Sequence, residues 1–118
     1  MSGFDTSLPR LTATEAQALA AKGELLLLDV REAAELQASG KAKGALHVPV
    51  ALVPMKADPK SPDFDRRFDP AIPVAVYCAA GGRAGMAAQT LGRLGYRAQN
   101  IGGFADWCAA GGAVEAQS

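Results

Sequence analysis

The chain has 118 residues, of which 49% are hydrophobic and only 6% aromatic, so one domain with a core of Ala, Leu and Val is expected. Twelve basic and twelve acidic residues cancel to a formal net charge of zero and alternate with no long basic run, which disfavours both a nucleic-acid partner and a membrane surface. Two cysteines 30 residues apart and a single histidine make neither a disulfide scaffold nor a zinc-site spacing, so no metal and no organic cofactor is expected.

Residues 1–8 lack a basic start and a continuous apolar stretch, and the run 25–28 is far too short to cross a bilayer; the expectation is a cytoplasmic protein. A single domain over 1–118 is read, with residues 1–7 and 115–118 as flexible ends. Thr12 with Glu15 forms a capping-box pattern, and Ala16, Leu19 and Ala20 recur at helical spacing up to a stop at Gly23. The apolar run 25–30 reads as a strand buried on both faces, followed by a short helix over 31–38 that ends near Gly40.

Residues 44–49 read as a further strand closed by Pro49, and 49–62, with four prolines, as a surface connection. One or two helical turns are expected over 63–68. Residues 73–77 make the clearest central strand, and Ala84, Ala87, Ala88, Leu91 and Leu94 give the next helix an apolar face ending at Gly95. A last parallel strand over 96–101 and a short helix over 103–110 complete the alternation. This pattern predicts an α/β three-layer sandwich, a mostly parallel central sheet with helices on both faces.

In that architecture ligands sit beyond the carboxyl ends of the strands, where Cys78 falls. The segment Cys78-Ala79-Ala80-Gly81-Gly82-Arg83-Ala84 leads directly from strand to helix. Gly81 and Gly82 let the loop curl with its amides inward, and those amides, the helix start and Arg83 would together favour a thiolate. Two readings stay open from the residues alone: an activated sulfur nucleophile, or a small buried residue without chemistry.

The order of motifs resembles the single-domain rhodaneses, a sulfurtransferase family, over nearly the whole chain. Cys78-x-x-Gly81-x-Arg83 is similar to that family's active-site loop, Asp29-Val30-Arg31-Glu32 with Glu35 to its Asp-x-Arg strand end, and Gly44-Ala45 to Pro49 to its Gly-Ala-x-x-x-Pro segment. Gly102-Gly103, Trp107 and Gly111 resemble its C-terminal signature. The resemblance implies that Cys78 accepts a sulfane sulfur as a persulfide from a small donor such as thiosulfate or a persulfide. It then passes the sulfur to cyanide, a thiol or a protein acceptor. The amides of Ala79, Ala80, Gly81, Gly82, Arg83 and Ala84 would bind the transferred sulfur, with Asp29, Arg31 and Glu35 as scaffolding.

Three departures stand out: Ala84 replaces a serine common after the loop arginine, Lys41-Ala42 replace a histidine-isoleucine pair, and Ala79 and Ala80 offer no polar side chain to a donor. Cysteine-based phosphatases place five residues between cysteine and arginine, whereas Cys78 and Arg83 have four between them, too few to enclose a phosphoryl group. The competing function is a non-catalytic rhodanese-fold module that binds a protein or senses redox state.

Arg31 is expected to pair with Glu35 four residues on, and His47 to be a structural histidine away from Cys78. Trp107 is read as a core anchor with a local hydrogen bond, and Cys108 beside it as packing rather than as a resolving thiol. Lys41, Lys43 and Lys56 are read as solvated charges.

Overall fold

A computed structural model of the chain describes residues 11–116. The first helix, α1 (Ala13–Ala21), starts at the expected capping box: Glu15 N–H donates to Thr12 Oγ1 at 3.1 Å and Thr12 N–H to Glu15 Oε1 at 2.8 Å. Strand β1 (Leu26–Asp29) follows, then α2 (Ala33–Ser39), closed at Gly40 with φ +78°. Next come two short strands, β2 (Lys41–Ala42) and β3 (Leu46–His47), a single 3₁₀ turn (Val50–Leu52) and α3 (Val53–Lys56). The second half alternates strictly: β4 (Val74–Cys78), α4 (Gly82–Arg93), β5 (Ala98–Gly103), α5 (Phe104–Ala109) and β6 (Val114–Glu115).

The main sheet runs β3-β1-β4-β5, all neighbours parallel, so the expected α/β sandwich with a parallel central sheet is what forms. β4 is one of its two inner strands and is buried along its length. Its side chains alternate between two cores. Val74, Val76 and Cys78 face Val53, Ala84, Ala87 and Leu91 of α3 and α4, while Ala75 and Tyr77 face Ala13 and Ala16 of α1 and Trp107 of α5. Small side chains on α1 and α4 let both helices approach the sheet closely.

Several expectations need correcting. Residues 63–68 form turns instead of a helix, because Asp65 accepts the Arg67 amide and Ser61 the Asp63 amide, local bonds that compete with helical ones. The helix lies earlier, inside the proline-rich connection, with Pro54 in its first turn where no amide donor is needed. A second sheet was not foreseen: β2 and β6 pair antiparallel, Lys41 opposite Glu115. Glu115, read as part of a flexible end, is therefore in a strand, whereas residues 1–7 and 117–118 lie outside the described residues. Lys41 is not a solvated charge, since its ammonium donates to the Ala45 carbonyl and meets Glu115 at 2.9 Å.

Among the described residues, no helix is long and apolar enough to cross a membrane.

Candidate active site

Cys78 ends β4 and opens a loop that turns straight into α4. Its sulfur sits in the core, with the residue 1% exposed, while Ala79 and Ala80 beside it are exposed. The Gly81 N–H donates to Cys78 Sγ at 2.9 Å. Gly81 holds φ +103°, a left-handed conformation that side chains disfavour, and this turn is what brings its amide back over the sulfur. Gly82, Arg83 and Ala84 open α4, and amides in a first helical turn have no carbonyl one turn back to bond to. The loop thus directs the Gly81 amide at the sulfur, just ahead of the start of α4.

The neighbouring strand fixes this turn from below. β5 carries one extra residue against β4: Val76 pairs with Asn100, but Cys78 pairs with Gly103. The bulge includes Gly102 at φ +100°. Asn100 Nδ2 donates to the Gly81 carbonyl at 2.9 Å, and its Oδ1 accepts from Gly102 N–H at 2.9 Å, so one amide side chain ties the bulge to the loop. A Cβ on Gly103 would collide with the Ala79 carbonyl oxygen. Asn100 escaped sequence reasoning, as a polar residue at a strand position carries no local sign of a partner in another loop.

The charged residues sort differently from expectation. Arg31 does not pair with Glu35; it donates through Nε and Nη2 to both oxygens of Asp29, 2.8 to 3.2 Å away, and through Nη1 and Nη2 to Ser39 Oγ and the Gly40 carbonyl. Its guanidinium lies 4.3 Å from the Phe104 ring centroid. Burial works against its charge, but the Asp29 carboxylate outweighs that and raises its pKa. Asp29, fully buried, also accepts the Arg31 N–H at 2.9 Å. The two residues join the end of β1 to the end of α2.

Glu35 instead accepts from Arg83 Nη2 at 3.0 Å, across 48 residues of chain, while its other oxygen accepts from Glu32 N–H at 3.2 Å. The hydrogen bond from Arg83 holds the Glu35 carboxyl below the usual carboxylate range, and Glu35 in turn raises the Arg83 pKa. α2 thereby holds the far end of the Cys78 loop.

His47 Nε2 lies 2.7 Å from the Arg31 carbonyl, on β3, two strands from β4. Trp107 is buried and its indole N–H donates to Ala113 O at 2.7 Å. Cys108 is exposed, contrary to a packing role, and both cysteines are free thiols. A cavity of about 320 Å³ lined by Leu11, Tyr77, Ile101 and Trp107 lies on the Tyr77 side of the sheet, away from the sulfur. Among the described residues, no three His, Cys, Asp or Glu side chains are grouped to hold a metal ion.

A parallel α/β sheet with a cysteine loop at the carboxyl end of an inner strand defines the class. Within it, the rhodanese-like domain profile matches residues 12–110, and the chain belongs to that family. Among solved structures, a Rhodopseudomonas palustris protein of unknown function, described as a possible tyrosine phosphatase, is 32% identical with TM-score 0.80, covering 92% of this chain and 86% of its own. The human single-domain sulfurtransferase is 27% identical with TM-score 0.68, covering 86% and 96%. A rhodanese-related protein of Thermoplasma volcanium, 23% identical with TM-score 0.73 over 93% and 100%, shares the fold.

Proposed function

We propose that this protein is a sulfurtransferase that carries a sulfane sulfur on Cys78. The observation that carries the reading is the amide of Gly81 directed at Cys78 Sγ from a loop that opens a helix. In the first step Sγ attacks the outer sulfur of a donor such as thiosulfate or a persulfide, and the donor's own bond to that sulfur breaks. The transferred sulfur, now the end of a Cys78 persulfide, bears negative charge and lies within the amide cradle of residues 79–84. Cyanide, a small thiol or a protein thiol then attacks it and releases the Cys78 thiolate. The reaction needs thiols kept reduced, which suits the cytoplasm.

Phosphoryl transfer, suggested by the R. palustris relative's description, is disfavoured by the four residues between Cys78 and Arg83 and by the engagement of Arg83 with Glu35. The non-catalytic alternative draws on the near-complete burial of Cys78. Intact-mass measurement separates the two. The wild type is expected to gain one sulfur atom from a sulfane donor, removable by cyanide, and Cys78→Ala to gain none at that position on peptide mapping. No gain from any of several donors would leave only the binding module.

A further inference from the structure

We infer that the sulfur donor is an organic persulfide whose carrier bears no net negative charge, in preference to thiosulfate; this rests on the sulfurtransferase reading above. Thiosulfate brings two negative charges, most of them on a tetrahedral sulfonate that stays outside while its outer sulfur reacts. A site for it needs cations or side-chain donors at the mouth. Here the four positions between Cys78 and Arg83 are Ala79, Ala80, Gly81 and Gly82, without one polar side chain.

The loop's cation is already engaged. Arg83 is bound to Glu35 at 3.0 Å, and Glu35 is anchored by the Glu32 amide, so the pair is built into the start of α2. Glu35, by hydrogen bond and charge, and Glu32, by charge, both act on the Arg83 guanidinium. The carboxylate that Arg83 binds offsets the loop's one cation, so less of its charge is left to hold a dianion.

Access points the same way. With Cys78 1% exposed, the reacting sulfur must reach inward past the exposed methyls of Ala79 and Ala80. A persulfide presents a slender two-coordinate chain, and its charge sits on the sulfur that enters the amide cradle. The carrier's carbon atoms stay against the alanines. Sγ attacks the terminal sulfur, the Sγ–S bond forms as the donor's S–S bond breaks, and the electron pair leaves on the carrier sulfur. That sulfur takes up the proton that the Cys78 thiol gives up and departs as a thiol, so no external oxidant or reductant is consumed.

The carrier is either a low-molecular-weight thiol or a cysteine of another protein, and two probes distinguish these sources. Sulfur loading of Cys78 is followed by intact mass in a Cys108→Ser background. The donors are the persulfide of N-acetylcysteine methyl ester, a neutral peptide carrying a cysteine persulfide, and thiosulfate. At least one persulfide is expected to load faster than thiosulfate by tenfold or more, on the order set by one extra charge near the site. Loading by one persulfide alone, or much faster by one, identifies the source.

Intrinsic donor reactivity is removed by variants. Ala80→Arg, which adds a cation without touching the ion pair, and Glu35→Gln, which frees Arg83, are each expected to raise the thiosulfate-to-persulfide rate ratio about tenfold. Thiosulfate loading the wild type as fast as both persulfides, or a ratio unmoved in both variants, overturns the donor assignment and leaves sulfur transfer standing. Failure of every donor to load Cys78 removes sulfur transfer itself.

Discussion

Tyr77 and Cys78 are consecutive residues with opposite chemistry imposed on them. The Cys78 sulfur meets an amide donor from Gly81, whereas the Tyr77 phenol is sunk in the other core, its oxygen accepting the Ala42 N–H at 2.9 Å and its ring facing Trp107 at 13°. Burial, with the Asp29 carboxylate nearby, pushes the phenol pKa up from its ordinary value of 10.0. The neutral phenol therefore stabilises the fold fully below pH 10, and this contribution is lost as pH rises above the unfolded value, where the unfolded chain ionises first. Wild-type stability is expected to fall with pH above 10 in urea titrations, and Tyr77→Phe to remove its part of that slope. At neutral pH the same variant is expected to cost about 1–3 kcal/mol, because a buried amide loses its acceptor.

At the scale of elements, the Cys78 loop is held by three neighbours: the β5 bulge through Asn100, the α2 start through Glu35, and the backbone of Gly103 beneath Ala79. Gly103 tests the last of these. A methyl group there cannot fit against the Ala79 carbonyl, so Gly103→Ala is expected to cost about 1–3 kcal/mol as an overpacked site. Because the displaced carbonyl belongs to the loop, sulfur loading of Cys78 should fall more steeply than stability alone explains. Loading kinetics measured where the variant is still folded check this; an unchanged rate would show that the loop is set independently of β5.

These ties also explain what the sequence made legible. The loop, its cysteine and the following helix were readable because they are contiguous, their signals being a β-rich run, two glycines and an alanine-lined helix face. The capping box at Thr12 was readable for the same reason. Helical spacing assigns Arg31 to Glu35, but the closer Asp29 carboxylate takes the Nε and Nη2 edge of the guanidinium, and Ser39 and the Gly40 carbonyl take the rest. That leaves Glu35 for Arg83, a pairing 48 residues distant that no local pattern encodes. The β2–β6 pair was invisible for a related reason, since two residues per strand are too few to show a period.

For the molecule as a whole, that small second sheet matters because it draws the end of the described chain back to the middle. Glu115 bonds the Lys41 ammonium and the Gly44 amide, and Gly40 approaches Glu115 so closely that a Cβ would lie 2.7 Å from its carbonyl oxygen. Trp107 holds the same segment from inside, bonded to Ala113 and covered by Gly112. Trp107→Ala is expected to destabilise the protein by about 3–5 kcal/mol, the usual cost of removing a large buried ring. Chemical denaturation measures the loss, and hydrogen exchange at residues 113–115 should rise with it. Protection retained there would show that the second sheet stands without the indole.

The alternation of β4 between two cores gives that segment a parity. Removing one residue between Pro73 and Tyr77 would turn the phenol toward α4 and the thiol toward α1, parting the phenol from the Ala42 amide and the sulfur from the Gly81 amide. Changes of length there are tolerable only in pairs, so among descendants of this sequence the spacing from Pro73 to the sulfur should vary by even steps or stay fixed.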